Sequence, residues 1–377
     1  MKYAYLDNAS TTAMRPEVIQ EMAQVMANTY GNPSSTHSLG RSAKSIVETS
    51  RKNIASSLNA EAREIIFTSC GTEANNWIVR SAAKDMGIKK IISSRIEHHS
   101  VLHSLEAVAA EFGTEIQFVN ILPSGEIDLT HLVKLLSGNV LTLVSLMHVN
   151  NEIGTILDLA KVGAICRQHS AYFHTDTVQS MGKFHFDLKT LPVDFLVASA
   201  HKFHGPKGSG FMYVRKGISL KPIFFGGEQE KGLRAGTEAV HQIAGMAKAL
   251  DLSYQLLDKE KEHVTSLKNY LIEQLDIHFT GYKINGSGAG SSLFYNIVNI
   301  LLPFAEEKTS MILFHLDMKG IFVSRGSACQ SGSIRPSHVL NEILDNEDVK
   351  KPSLRVSFCH FNTIQDVDLL IEGLKTV

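Results

Sequence analysis

The sequence predicts an α/β protein, in which a large domain with a mostly parallel sheet between layers of helices is joined to a smaller α+β domain. Three observations carry this prediction. From about residue 38 to 214, short apolar runs of strand length alternate with stretches of helical spacing. Several of the runs are apolar throughout, as strands covered on both faces are. After residue 239 a long helical stretch leads into strand-like runs that no longer keep the alternation.

In order along the chain, Leu39, Ala43, Ile46, Val47, Ile54 and Leu58 recur at helical spacing and are followed by the strand-like run IIFT at 65–68. A helix over 72–86, a strand IIS at 91–93, a helix near 100–112 and a strand LTLVSL at 141–146 come next. The pattern resumes with a helix near 158–168 and apolar runs AYFHT (171–175), DFLVAS (194–199) and GFMYV (210–214). The stretch 239–275, whose later half is rich in Lys and Glu, reads as one long helix bridging two domains. NIVNILL (296–302), a helix near 306–317, IFVS (321–324), LRVSF (354–358) and a closing helix make up the smaller domain, in which GSGAGSS (286–292) is a surface turn.

Composition narrows the function classes. Of 377 residues, 44% are hydrophobic and 20% charged, which suits a globular protein with a large core. The formal net charge is -1 and no dense Lys/Arg block appears, so neither nucleic acid nor a membrane surface is an expected partner. The opening MKYAYLDNASTT lacks the apolar stretch of a signal peptide, and no later window approaches the roughly 18 apolar residues of a membrane span, so the expected location is cytoplasmic. Four cysteines at 70, 166, 329 and 359 are too few and too far apart to suggest a disulfide framework or a CxxC zinc site. Nor do the 17 histidines suggest a metal site, since the adjacent His98 and His99 point apart on either a helix or a strand.

In an open parallel sheet, ligands bind beyond the carboxyl ends of the strands, and the residues there are rich in chemistry. Gly71 and Thr72 open a helix after IIFT, where free amides and the positive end of the helix dipole suit a phosphate; alone, such a pair is more often a plain cap. Ser199, His201 and Lys202 follow DFLVAS and precede GPKGSG. A lysine directly after so apolar a run is desolvated, which lowers its pKa and suits it to a Schiff base. Asp176 ends a strand expected beside the one leading to Lys202, where a carboxylate pairs with a protonated pyridine nitrogen. Gln179 lies within reach of the same ring, and His98, at the end of a neighbouring apolar strand, can stack on it and move protons. A Schiff-base lysine, a pyridinium partner, a stacking imidazole and a phosphate cup together specify pyridoxal 5'-phosphate.

With these residues in view, the chain resembles the cysteine desulfurases of the class V aminotransferase group, fold type I pyridoxal-phosphate enzymes. The likeness runs through LDNASTT (6–12), GNPSSTH (31–37), FTSCGTEANN (67–76), EHHSV (97–101), MHVNNEIG (147–154), DTVQSMGK (176–183), SAHKFHGPKG (199–208), RAGTEAVHQIAG (234–245) and GSACQSG (326–332). It implies a seven-stranded sheet in a large cofactor-binding domain of residues 14–255. Residues 1–13 and 256–377 would form the small domain carrying a mobile loop with the catalytic cysteine. It implies that Lys202 holds the cofactor aldehyde, Asp176 the pyridine nitrogen and Gln179 the phenolic oxygen, with His98 on the ring. Gly71, Thr72, Ser199 and His201 would hold the phosphate. Thr237 would reach the phosphate of a second subunit, making a homodimer with shared active sites. Asn151 and Arg355 would hold the substrate carboxylate, a bidentate task for a planar guanidinium.

Cys329, in the small polar stretch SRGSACQSGS, is expected to be an exposed, mobile nucleophile, whereas Cys166 and Cys359 read as buried small apolar residues. The resemblance then implies conversion of L-cysteine to L-alanine, with a persulfide left on Cys329. That sulfur would pass to an acceptor or scaffold protein of iron-sulfur cluster assembly or tRNA thiolation. Cys329 is also the one residue expected to meet a metal or cluster, transiently. Selenocysteine lysis remains open. Transamination needs no such cysteine, and a non-catalytic sulfur-relay scaffold would not keep Lys202 and Asp176. Cys70 departs from the small residue usual in the phosphate loop, as do Thr177 and Val178 from the usual alanine-threonine turn.

Overall fold

The computed structural model describes residues 3–286, 293–326 and 337–377. Cys329 and most of the GSGAGSS turn lie outside the described residues. The elements run β1 Ala4–Tyr5, α1 Pro16–Asn28, α2 Ser38–Ser57, β2 Ile65–Thr68, α3 Gly71–Lys84, β3 Lys90–Ser93, α4 His99–Phe112, β4 Glu115–Phe118, α5 Leu129–Leu136, β5 Thr142–Ser145, α6 Leu159–Gln168, β6 Tyr172–Asp176, β7 Phe195–Ser199 and β8 Gly210–Val214. They continue with α7 Val240–Gln255, α8 Leu257–His278, β9 Lys283–Ile284, β10 Ile297–Leu301, α9 Ile312–Met318, β11 Ile321–Phe322, α10 His338–Ile343, β12 Ser353–Ser357 and α11 Ile364–Leu374.

Among the described residues, seven strands form one sheet in the order β2-β8-β7-β6-β5-β3-β4. β3 to β7 pair in parallel with their neighbours, and β8 runs antiparallel between β2 and β7. The fully apolar runs of the sequence are explained by burial on both faces, since successive side chains enter opposite layers. Leu196 and Ala198 of β7 pack with α1, α2 and α7, whereas Phe195 and Val197 pack with α3 and α4.

The local chemistry sets the helix ends. Asp128 and Asp158 cap α5 and α6 by accepting from the backbone N–H three residues on, and Gly113 ends α4 in the left-handed region at φ 66°. The expected single helix over 239–275 is two. It breaks at Leu256 (φ -104°, ψ 2°), where the chain leaves one core for another. Met246 and Leu250 of α7 pack into the core beneath the large sheet, whereas Val264, Leu267, Leu271 and Leu275 of α8 pack with β10, β12, α9 and α11. This second core covers the antiparallel sheet β12-β10-β9 and takes in Ala4 and Leu6 from the N-terminal segment, where β1 pairs with β11. Likewise, the helix expected over 306–317 is a 3-10 turn at Glu306–Ser310 followed by α9.

Candidate active site

A cavity of about 230 Å³ opens at the carboxyl ends of the parallel strands. Gly71, Thr72, His98, Asn151, Asp176, Gln179, Ser199, His201, Lys202 and Arg355 all line it, together with Ala9, Ser10 and Asn75. The expected candidates therefore converge on one site, with two exceptions. Thr237 is exposed on the surface and does not line this cavity, and Cys329 lies outside the described residues.

β6 and β7 lie side by side in parallel with Asp176 opposite Val197, which brings Asp176 near the turn bearing Lys202 as the sequence predicted. His98 arrives differently. β5 intervenes between its strand β3 and β6, and His98 reaches the cavity five residues beyond Ser93, as the N-cap of α4. There its Nδ1 accepts from the Ser100 backbone N–H at 3.2 Å and lies 2.8 Å from Ser100 Oγ. Burial holds the His98 pKa below its ordinary value.

Lys202 sits in the 3-10 turn Ala200–Lys202 that follows β7. Its ammonium donates to the carbonyl oxygens of Ala9 and Ser10 at 2.5 and 2.8 Å. Burial, helped by the charges of Arg355 and Lys183, pushes its pKa down to about 7, against the opposing pull of Asp7 and Asp176. A lysine in this state supplies a free amine near neutrality, which nucleophilic attachment to an aldehyde requires. His201 is also held neutral, its pKa driven to about 4 by burial and by Lys202.

Asp176 is fixed at both oxygens, Oδ2 accepting from Asn75 Nδ2 at 2.7 Å and Oδ1 from the Val178 N–H at 2.9 Å. Arg355, 1% exposed, donates from Nη1 to the Asn151 carbonyl at 2.7 Å, and from Nη2 to Asp7 Oδ1 at 2.8 Å and Ser10 Oγ at 2.6 Å.

The residues fit pyridoxal phosphate. At the start of α3, a Cβ on Gly71 would lie 2.5 Å from Val178 Cγ2, so glycine lets this turn pack against the segment after Asp176, and the free N–H groups of a helix start at the cavity suit an anion. Cys70 caps this helix without a side-chain hydrogen bond to it. Gln179 Nε2 donates to the Ala9 carbonyl at 2.8 Å, while its Oε1 and the Arg355 Nε are buried without a partner among the described residues. Such orphans at the edge of a cavity are satisfied by a polar ligand.

Sequence reasoning missed four contributors. Asn75 lies one helical turn beyond Gly71, which is the signal that could have placed it beside Asp176. Asp7 and Ser10 stand in LDNASTT but reveal their role only when the N-terminal segment crosses beneath Arg355. The fourth, Glu152, accepts from Ser337 Oγ, and a Cβ on Gly326 would lie 2.8 Å from its Oε2. Residues 326 and 337, which flank the segment containing Cys329, thus meet at one buried carboxylate.

The chain is similar to known proteins along nearly its whole length. The aminotransferase class-V model matches residues 4–370. The cysteine desulfurase IscS of Dictyoglomus turgidum is 39% identical, the match spanning 99% of this chain and 94% of that protein. Among solved structures, a NifS-like protein superposes with a TM-score of 0.89 at 34% identity, over 100% of this chain and 99% of that one. SspA in complex with cysteine superposes with a TM-score of 0.81 at 27% identity, over 96% and 100%. The chain belongs to the class-V aminotransferase family, whose fold type I architecture and pyridoxal phosphate chemistry the sheet, the buried lysine and the phosphate-ready helix accommodate.

Proposed function

We propose that this protein is a pyridoxal-phosphate-dependent cysteine desulfurase that converts L-cysteine to L-alanine and retains the sulfur on Cys329. The observation that carries the reading is the buried Lys202 amine, lowered to a pKa of about 7, in one cavity with Asp176, His98 and Arg355. The relatives named cysteine desulfurase and the neighbour bearing cysteine support the substrate.

When bound, the cofactor supplies an electrophilic aldehyde and an electron-withdrawing pyridinium that acidifies the α-carbon of the substrate. Lys202 would hold the aldehyde, and its amine, free near neutrality, would be the base placed to move the α-proton. Asp176, oriented by Asn75 and Val178, holds the pyridine N–H. His98 covers the ring, Gln179 meets its phenolic oxygen, and Gly71, Thr72, Ser199 and His201 hold the phosphate. Arg355, with Asn151, takes the substrate carboxylate. The Cys329 thiolate attacks the substrate sulfur. A sulfur-sulfur bond forms as the substrate Cβ–S bond breaks, the electron pair left on Cβ takes up one proton, and return of a proton to the α-carbon completes alanine.

Four finer readings belong to the same proposal. Residues 14–255 act as the cofactor-binding domain, with 1–13 and 256–377 as the smaller one. Thr237, exposed here, completes the phosphate site of a second subunit in a homodimer. The persulfide passes to a protein acceptor in iron-sulfur cluster assembly or tRNA thiolation. The enzyme works in the cytoplasm, in keeping with the absence, among the described residues, of a helix long and apolar enough to cross a membrane.

Two variants separate the roles. Lys202→Ala is expected to lose both the yellow colour and sulfur release, and Cys329→Ala to keep the colour and lose release. A yellow Lys202→Ala protein would overturn the cofactor assignment.

A further inference from the structure

Behind the turn that carries Lys202 lies a second, smaller cavity of about 30 Å³, whose lining includes Lys183, His204, Glu260, Cys359 and His360. His204, Cys359 and His360 each offer a ligand atom, all within 4.8 Å of one another. We propose that these three residues bind one zinc-class divalent transition-metal ion, at a site separate from the cofactor cavity.

One thiolate and two imidazoles match the borderline softness of zinc, which takes sulfur at about 2.3 Å and nitrogen at about 2.0–2.1 Å. Bonds of that length put tetrahedral donors roughly 3.3–3.7 Å apart, so separations of up to 4.8 Å must shorten on binding. The cavity exceeds the roughly 10–15 Å³ that one water-sized sphere needs, so an ion and a water in the fourth position have room.

The two rings are also held with their lone pairs fixed. His204 Nδ1 lies 2.9 Å from the Ala13 carbonyl, which can only accept, so Nδ1 carries the hydrogen and Nε2 keeps its lone pair for an ion. His360 Nε2 lies 3.2 Å from an Arg15 Nη1 that can only donate, so here too Nε2 is the unprotonated nitrogen. Its Nδ1 is buried, makes no hydrogen bond among the described residues, and lies 3.5 Å from Glu260 Oε2. A metal at Nε2 would displace the Arg15 donor and leave Nδ1–H facing the carboxylate, the outer-shell arrangement that orients metal-bound histidines. Arg15 would keep its ion pair with Glu260 at 2.7 Å.

The balance is simple. The Cys359 S–H bond breaks as the sulfur-metal bond forms, the proton leaves to solvent, and nothing is oxidised or reduced. The positive charges of Arg15, 3.2 Å from His360, and of Lys183, in the cavity lining, both act on His204; the thiolate and Glu260 would offset them. The ligands come from the loop two residues past Lys202 and from the segment just after β12. A bound ion would therefore tie the lysine turn to the C-terminal segment.

The test uses the pyridoxal-loaded Cys329→Ser protein, so that the active-site thiol cannot contribute. After chelator treatment it is titrated with zinc, the bound metal is measured by mass spectrometry, and its ligands are read by X-ray absorption at the zinc edge. One zinc per chain is expected, with one sulfur and two imidazole nitrogens. Adding Cys359→Ser is expected to keep the yellow colour, remove the sulfur shell and weaken binding at least tenfold. His360→Gln is expected to keep the sulfur and lose one imidazole, and serves if the serine variant does not fold. Failure of the parent to take up stoichiometric zinc, or a sulfur shell that survives Cys359→Ser, would overturn the proposal. Neither result bears on the desulfurase reading.

Discussion

Asn75 Nδ2 lies 2.7 Å from Asp176 Oδ2, so the carboxylate proposed to hold the cofactor nitrogen is aimed by a side chain one turn into the helix that begins at the phosphate cup. Asn75 also donates to Ser100 Oγ at 2.9 Å, and Ser100 lies 2.8 Å from the His98 ring, so one amide joins both ring contacts. Asn75→Ala should leave the fold intact and loosen both. A hydrogen bond to a charged group contributes about 1.5–3 kcal/mol, which corresponds to roughly ten- to a hundredfold weaker cofactor retention. Equilibrium dialysis of the variant against pyridoxal phosphate measures this, and unchanged retention would show that the Val178 N–H suffices.

Asp7 orients Arg355 at 2.8 Å. Asp7→Ala should raise the KM for L-cysteine by about tenfold or more, since it frees a guanidinium expected to bind the substrate carboxylate in a fixed pose. The visible spectrum should not change. A variant that loses colour but keeps KM would place Asp7 with the cofactor.

Lys202 gives a pH prediction. Its pKa is lowered from 10.5 to about 7, so the free amine becomes abundant as pH rises through 7. In cofactor-stripped protein, the rate of recombination with pyridoxal phosphate should climb through that value and level off above about pH 8. A rate still rising through pH 10 would mean that Lys202 is solvated.

Glu97 gives a stability prediction of the opposite sense to that of most acids. Its carboxyl accepts from Ser94 Oγ at 2.8 Å and the Met147 N–H at 3.0 Å, but burial pushes its pKa from 4.5 up to about 8. Between those values the folded protein holds a proton that the unfolded chain releases. The contribution is therefore complete below about pH 4.5 and is lost as pH rises toward 8. The fall in Tm between about pH 5 and pH 8 should be smaller in Glu97→Gln than in the wild type. Equal falls would contradict this account of Glu97.

Much of the site was legible because a parallel sheet gathers ligand residues at one edge. Polar residues just after the runs ending at Thr68, Leu146, Thr175 and Ser199 could be collected without knowing the strand order. The order itself was not legible, which is why His98 was set beside Asp176 when β5 lies between their strands. The break at Leu256 escaped notice because helical periodicity continues across it while the buried face passes from one core to the other. Contacts of long sequence separation were invisible for the same reason. Asp7 meets Arg355 across 348 positions, and His204 meets His360 only once the chain has closed on itself.

The central claim is that this site takes sulfur from L-cysteine. The most direct measurement is simultaneous quantification of alanine and sulfide when the purified yellow protein is given L-cysteine and a reductant. Equal amounts of both, over many turnovers and abolished by Cys329→Ala, are the predicted result. A yellow protein that yields neither, or that yields them unchanged without Cys329, would contradict it.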